Sequence, residues 1–205
     1  MKLNNLTIKQ VIHYLPKKEI AKLMPIAEYK SVSQVLSNPK QVAFFKSQLK
    51  KPDSPMAKAV RQGTRTHRTL ETGVAKSEFD QQCLDTFENA IGVDLDEVWG
   101  QEEWLAHPLG YKGKFDGVGI FRGKLTLFDH KKTNKRKTLS GLKGYFNQLA
   151  AYKQAHEHIY RLWPIEQLAI FNIYGTDAET LGAEATVLTA SQVDESLEYF
   201  NRRFT

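Results

Sequence analysis

An α/β fold with a mixed central sheet and helices on its faces is predicted for this chain of 205 residues, and three observations predict it. Tyr111 to Phe121 and Lys124 to Lys131 read as two strands joined by the tight turn Arg122-Gly123, a hairpin signature. Leu142, Tyr145, Phe146 and Leu149 then recur at helical spacing. Beyond that helix, Glu166 to Tyr174 is a run of β-branched and aromatic residues, and Ala183 to Leu188 is a candidate for a further strand. Helix, three strands, helix and strand in that order lay helices over a sheet. With 41% hydrophobic content the chain can bury one sizeable core, and no repeat, linker or low-complexity tract divides it. Residues 1–205 are therefore read as one domain, 1–60 as a helical extension and 61–205 as the core.

The elements follow from local signals. Ile8, Val11, Ile12 and Leu15 predict a short amphipathic helix that Pro16 interrupts, after which Ile20, Leu23 and Met24 continue an apolar face. Asn38-Pro39 and Ser54-Pro55 each combine an N-cap side chain with proline at the first helical position, where a missing N–H costs nothing. The second of these leads into the helix carrying His67, which Gly73 ends. Phe79, Cys83 and Phe87 share one face of the next helix, which makes Cys83 a small buried hydrophobe. Glu102 and Glu103 begin the strand region before Asp116, and which of the two faces the same site as Asp116 is left open by the sequence; Ser191 caps a last helix carrying Val193, Leu197 and Phe200.

The formal charge is +6 and the isoelectric point about 9.2. Cations crowd into His130-Lys131-Lys132-Thr133-Asn134-Lys135-Arg136-Lys137. Such a run ordinarily marks a solvated loop. Lys132, Lys135, Arg136 and Lys137 are also placed to track a polyanion such as a nucleic-acid backbone, with binding that falls steeply with salt. Phe44, Phe45, Trp104 and Tyr145 offer faces for stacking unpaired bases, although Phe45 and Tyr145 recur at core-like spacing and are assigned to the core. The single cysteine excludes intrachain disulfides and an iron–sulfur cluster held by four cysteines. No apolar run approaches the length that crosses a bilayer, and MKLNNLTIKQ lacks a signal-peptide core, so the expectation is a cytoplasmic protein of a bacterium or of a virus that infects one.

Chemistry concentrates in the hairpin. Asp116, in GKFDGVG, and Asp129, in LTLFDHKKT, lie on its two strands, and Lys131 follows two positions after Asp129. Side chains alternate along a strand, so Asp129 and Lys131 project to one face while Phe128 and His130 project to the other. Two carboxylates meeting at one end of a sheet make a hard oxygen site suited to Mg²⁺ or Mn²⁺, and an ammonium beside them orients or activates a water. The acid-x-Lys triplet by itself carries little. With 23 acidic residues and 21 lysines, chance yields about two such triplets, and Glu28-Tyr29-Lys30 is the other, without an acidic strand ahead of it. The company it keeps carries more. Upstream, GTRTHRTLE (residues 63–71) sets His67 and Glu71 four apart on one helical face; downstream, Gln148 and Tyr152 are spaced the same way. Each has a plainer reading: a helix histidine satisfied locally, Glu71 as its salt-bridge neighbour, Gln148 and Tyr152 as the polar margin of a core helix, Asp116 as a turn or edge residue ahead of Gly117. An acid between Phe115 and an apolar stretch is costly to bury unless something pairs with it, which favours the functional reading of Asp116.

In chain order, G-x-R-x-H-x-x-L-E, G-x-x-D, D-x-K-K-T and Q-x-x-x-Y resemble the PD-(D/E)xK (restriction-endonuclease-like) nuclease superfamily, in particular its RecB-type branch with a histidine in the first motif. Lys30 to Ser37 is similar to the leading segment of the mitochondrial genome maintenance exonucleases and their phage relatives, and the likeness spans roughly residues 30 to 175. It implies metal ligation by His67, Asp116, Asp129 and the backbone carbonyl of His130. It implies nucleic-acid contact through Arg65, and Gln148 and Tyr152 orienting Lys131 or touching the scissile phosphate. Lys131 would position the attacking water; Lys132 stands where threonine often follows the working lysine, and strand alternation favours Lys131 over it. The activity implied is metal-dependent exonuclease digestion of single-stranded DNA from a free end, in phage or bacterial replication, recombination, repair or degradation of DNA, beside a polymerase, helicase or single-strand-binding protein. Residues 1–60 are long enough for an arch through which a strand threads. A structure-specific or restriction-like endonuclease on the same fold, and a DNA-binding or recombination-accessory module that does not cleave, are the alternatives.

Overall fold

The computed structural model describes residues 14–23 and 28–204. Ile8, Val11, Ile12 and Met24, expected on apolar helical faces, lie outside them. At the centre is a six-stranded mixed sheet of β1 (Lys30–Ser31), β2 (Leu95–His107), β3 (Tyr111–Phe121), β4 (Lys124–Thr133), β5 (Gln167–Tyr174) and β6 (Gly182–Leu188). β3 is its hub. One edge pairs antiparallel with β2 along the whole strand; the other is shared by β1, parallel at Tyr111 and Lys112, and by β4, antiparallel from Gly117 to Phe121. β4 also runs parallel to β5 from Thr126 to Thr133, and β6 closes the sheet antiparallel to β5. Because β4 leaves β3 after the Gly117–Phe128 pair yet stays beside β5, the two strands fork where Asp116 and Asp129 come next.

Helices cover both faces, the architecture expected. They are α1 (Lys17–Leu23), α2 (Val32–Leu36), α3 (Pro39–Leu49), α4 (Pro55–Thr72), α5 (Glu78–Ala90), α6 (Leu139–Ile159) and α7 (Ala190–Phe204). On one face Leu142, Phe146 and Leu149 of α6 and Phe200 of α7 pack with Phe115, Leu127 and Ile170. On the other, Leu70 of α4 and Cys83 and Phe87 of α5 pack with Phe121, Phe128 and Phe171. Each such side chain contributes roughly 1.5–3 kcal/mol when fully buried. Helix ends follow side-chain chemistry: Asn38 and Ser54 accept backbone N–H groups ahead of Pro39 and Pro55, and Gly73 ends α4 at φ 66°. No helix of the described residues is long and apolar enough to cross a membrane.

Several expectations need correction. The strand before Asp116 starts at Leu95, not near Glu102; register shifts between Leu95 and Glu97 and between Val98 and Gly100 break the alternation that would reveal it. β4 continues past Lys131 because β5 pairs it as far as Thr133. Tyr14 to Pro16 are not helical, and Pro16 opens α1, its carbonyl accepting from Glu19 and Ile20; Ile20 is buried, whereas Leu23 is exposed. α7 is capped by Thr189 rather than Ser191, with Gln192 reaching back to the Thr189 N–H. Phe45 is not a core residue, since α3 buries none of its side chains.

Candidate active site and metal centre

Past Phe128 the edge of β4 that faced β3 has lost its strand partner, and Asp116 takes over: its carboxylate accepts from the His130 N–H at 2.9 Å. The Lys131 ammonium donates to the His130 carbonyl at 3.2 Å and pairs with Asp129. The three residues read from the hairpin therefore meet at the fork. Gly117 follows Asp116 for a packing reason: a Cβ there would lie 2.1 Å from the Phe128 ring, so Asp116 sits in mid-strand rather than at a turn.

α4 lays His67 over the fork. Its Nε2 is 2.7 Å from Glu102 and its Nδ1 3.4 Å from Asp116, and Lys114 pairs with the other oxygen of Glu102. Of the two glutamates left open by the sequence, Glu102 is thus the one that faces the site, bracketed opposite Asp116 by the pairs Gln101–Gly117 and Glu103–Phe115. Glu103 lies instead toward Tyr14 and Tyr160. Glu102 adopts φ 55°, one of two non-glycine residues with positive φ among those described. Such backbone costs on the order of 1 kcal/mol or more and persists where surroundings hold it; here His67 and Lys114 hold the side chain. Which glutamate faces Asp116 depends on the pairing of β2 with β3, which local spacing does not reveal.

From the opposite face α6 brings Tyr145, Gln148 and Tyr152. Lys131 Nζ lies 5.0 Å from the Tyr145 ring centre, and Gln148 Nε2 donates to Tyr152 Oη at 2.9 Å. Gly113 makes room for Tyr152, because a Cβ there would meet its ring at 2.3 Å. The signal for that residue was present in the G-x-x-D motif, without an indication of what the glycine was for.

Burial sets the electrostatics. Asp129 has its carboxyl pKa raised, first by burial and also by Asp116, against the opposing Lys131 ammonium. Burial works against the charge on Lys131, yet Asp129 and Asp116 outweigh it and its pKa is raised. The hydrogen bond to Glu102 raises His67, with burial opposing. Glu102 is held at about 2: burial opposes, but hydrogen bonds from His67 and Lys114 prevail. Burial pushes Tyr152 up to about 12 and His130 down to about 3.

Donor atoms of His67, Asp116 and His130 lie within 4.8 Å of one another, as do those of His67, Glu71 and Glu102. Glu71 thus joins His67 and Glu102 rather than lying apart. A divalent cation fits these donors, since imidazole and carboxylate groups stand together around His67 and Asp116; Asp129, a predicted ligand, belongs to neither set and is paired with Lys131. His130 offers its ring nitrogen as well as the carbonyl the resemblance implied, the ring being wedged among Phe87, Phe128 and Phe171.

The predicted nucleic-acid contacts scatter. Lys132 points to the α5 face, over the Phe79 ring, and donates to the carbonyls of Thr133 and Gly175. Arg65 pairs at 2.7 Å with the buried Asp80 and lines a cleft of about 570 Å³ with Arg61, Arg68 and Lys76. Arg136 pairs with Glu184 of β6, and Lys135 and Lys137 stand exposed on the loop after β4.

In comparisons with known proteins, no family model and no curated protein matches this chain. A crystal structure of a Eubacterium rectale protein named "Putative exonuclease" aligns with 93% of this chain and 84% of its own, at 10% sequence identity and a TM-score of 0.48. Likeness of that degree establishes neither a family nor an activity.

Proposed function

We propose that the chain is a metal-dependent nuclease of the PD-(D/E)xK type acting on single-stranded DNA from a free end, with 61–205 as its catalytic core and 1–60 as an arch over it. One observation carries the reading: Asp116, Asp129 and Lys131 converge at the β3–β4 fork beneath His67. Mg²⁺ or Mn²⁺ would be held by His67, Asp116, Asp129 and His130, and when bound supplies Lewis acidity toward the phosphate and a more acidic water. Lys131, held by Asp129, positions the attacking water and offsets charge growing on the phosphate oxygens. Tyr152 keeps its proton at neutral pH and accepts from Gln148, so its own O–H remains available to donate to a phosphate oxygen. Such an enzyme would act in the bacterial cytoplasm beside replication or recombination proteins.

End-labelled linear single strands and a closed circle of the same sequence, incubated with Mg²⁺ or Mn²⁺, test this directly. Digestion of the linear strand alone, abolished by Asp129→Ala, is the expected result. An Asp129→Ala protein as active as the parent would sink the site assignment, and rapid cutting of the circle would replace the exonuclease with an endonuclease on the same fold.

A further inference from the structure

We infer that the groove between α3, α4 and the end of β4 seats an unpaired nucleobase, and that Phe45 is the ring on which it stacks. The inference rests on the nuclease reading and names, for the same site, the means by which single strands are told from duplexes.

α3 is a well-capped helix with no core to serve. Asn38 caps it and Pro39 opens it, yet none of its residues is buried, and Phe44 and Phe45 are 58% and 40% exposed. Single exposed hydrophobics are ordinary; the position of this one is what matters. Phe45 lines a groove of about 480 Å³ whose wall continues through Met56, Ala59 and Val60 of α4 and whose inner end is His67, Lys131 and Lys132. Its two ends differ in chemistry: one is apolar and aromatic, and the other holds His67 and Lys131, the residues placed around the scissile phosphate, with Lys132 at its margin. A nucleotide has that same polarity, a flat apolar face joined to an anionic phosphate. An amphipathic protein segment would require an apolar floor along its whole length, which Lys131 and Lys132 interrupt. A duplex keeps its base faces inside its own stack, so only an unpaired strand can present one to Phe45.

Fluorescence anisotropy in chelator, where nothing is cleaved, reads this out with a short labelled oligothymidylate, an abasic strand of equal length and a blunt duplex. Phe45→Ala is expected to weaken oligothymidylate binding roughly ten- to hundredfold. Phe45→Trp should restore it, and neither substitution should alter binding of the abasic strand or the duplex. An unchanged unfolding temperature is expected because α3 buries no side chain. Equal losses on the base-bearing and abasic strands, or no loss on either, would overturn the stacking role while leaving the nuclease reading standing. Failure of the parent protein to bind any strand would overturn both, and a dimer that dissociates on Phe45→Ala would assign the groove to a second copy instead.

Discussion

Lys131 and Lys132 are neighbours with opposite surroundings, and their contrast gives the sharpest test of a single residue. Lys131 is paired with Asp129 at the fork, whereas Lys132 is turned to the α5 face and engaged by two carbonyls. Lys131→Ala should lower kcat by about 10²–10⁴-fold with little change in DNA affinity, the range for losing a group that acts on the reacting atoms. Lys132→Ala should cost no more than about tenfold, as for a peripheral phosphate contact. Steady-state kinetics on both variants decide it, and equal losses in kcat would mean the wrong lysine has been assigned. Asp116, Asp129 and Lys131 were legible in the sequence because a two-residue turn leaves the register little freedom and period-two alternation then fixes the faces. Glu102 was not, because only the pairing of β2 with β3 sets it, rather than Glu103, opposite Asp116. Phe45 was misassigned, since helical spacing of apolar residues says that they share a face and not what covers it.

At the level of elements, the site exists because β4 leaves β3 for β5 after Phe128. The Phe128 ring lies across Gly117 at this branch, so the glycine governs both strand pairing and the approach of Asp116 to β4. Gly117→Ala should destabilise the fold by about 1–3 kcal/mol, the usual cost of overpacking a core, and should lower activity at temperatures where the variant remains folded. Urea unfolding checks the first part; an unchanged midpoint would show that Phe128 can move aside and that Gly117 does not hold the fork. Caps and turns were read well at this scale. Asn38, Ser54 and Gly73 act as their chemistry dictates, and Arg122 and Gly123 turn the hairpin with φ 51° and 71°. The cap of α7 was misplaced by two residues because Thr189 and Ser191 offer equivalent hydroxyls, and only the Gln192 contact distinguishes them.

For the molecule as a whole, stability should depend on pH through histidines that folding buries uncharged. His156 of α6 is fully buried, 3.0 Å from the Tyr14 hydroxyl, and its pKa is pushed down to about 4 by burial and then by Lys153. The unfolded chain takes up this proton near pH 6.5 and the folded chain only near 4, so the contribution is intact above 6.5 and is lost as pH falls between the two. That amounts to about 1.5 kcal/mol between pH 6.5 and 5. His107, likewise pushed down to about 4 by burial and by His158, acts in the same sense. Urea unfolding at those two pH values should show the loss, reduced in His156→Gln; an identical pH dependence in that variant would remove His156 as its cause. The hairpin, most helix ends, the order of the motifs and the α/β class follow from local residue patterns, since each depends on residues within a few positions of one another. The three-dimensional fold was needed to show which glutamate faces His67, 35 residues away, and that Arg136 is drawn to Glu184, 48 residues away. It also decided that the aromatic face of α3 opens onto the site. Contacts across such separations depend on where the sheet forks and which helix crosses it, and local spacing carries no information about either.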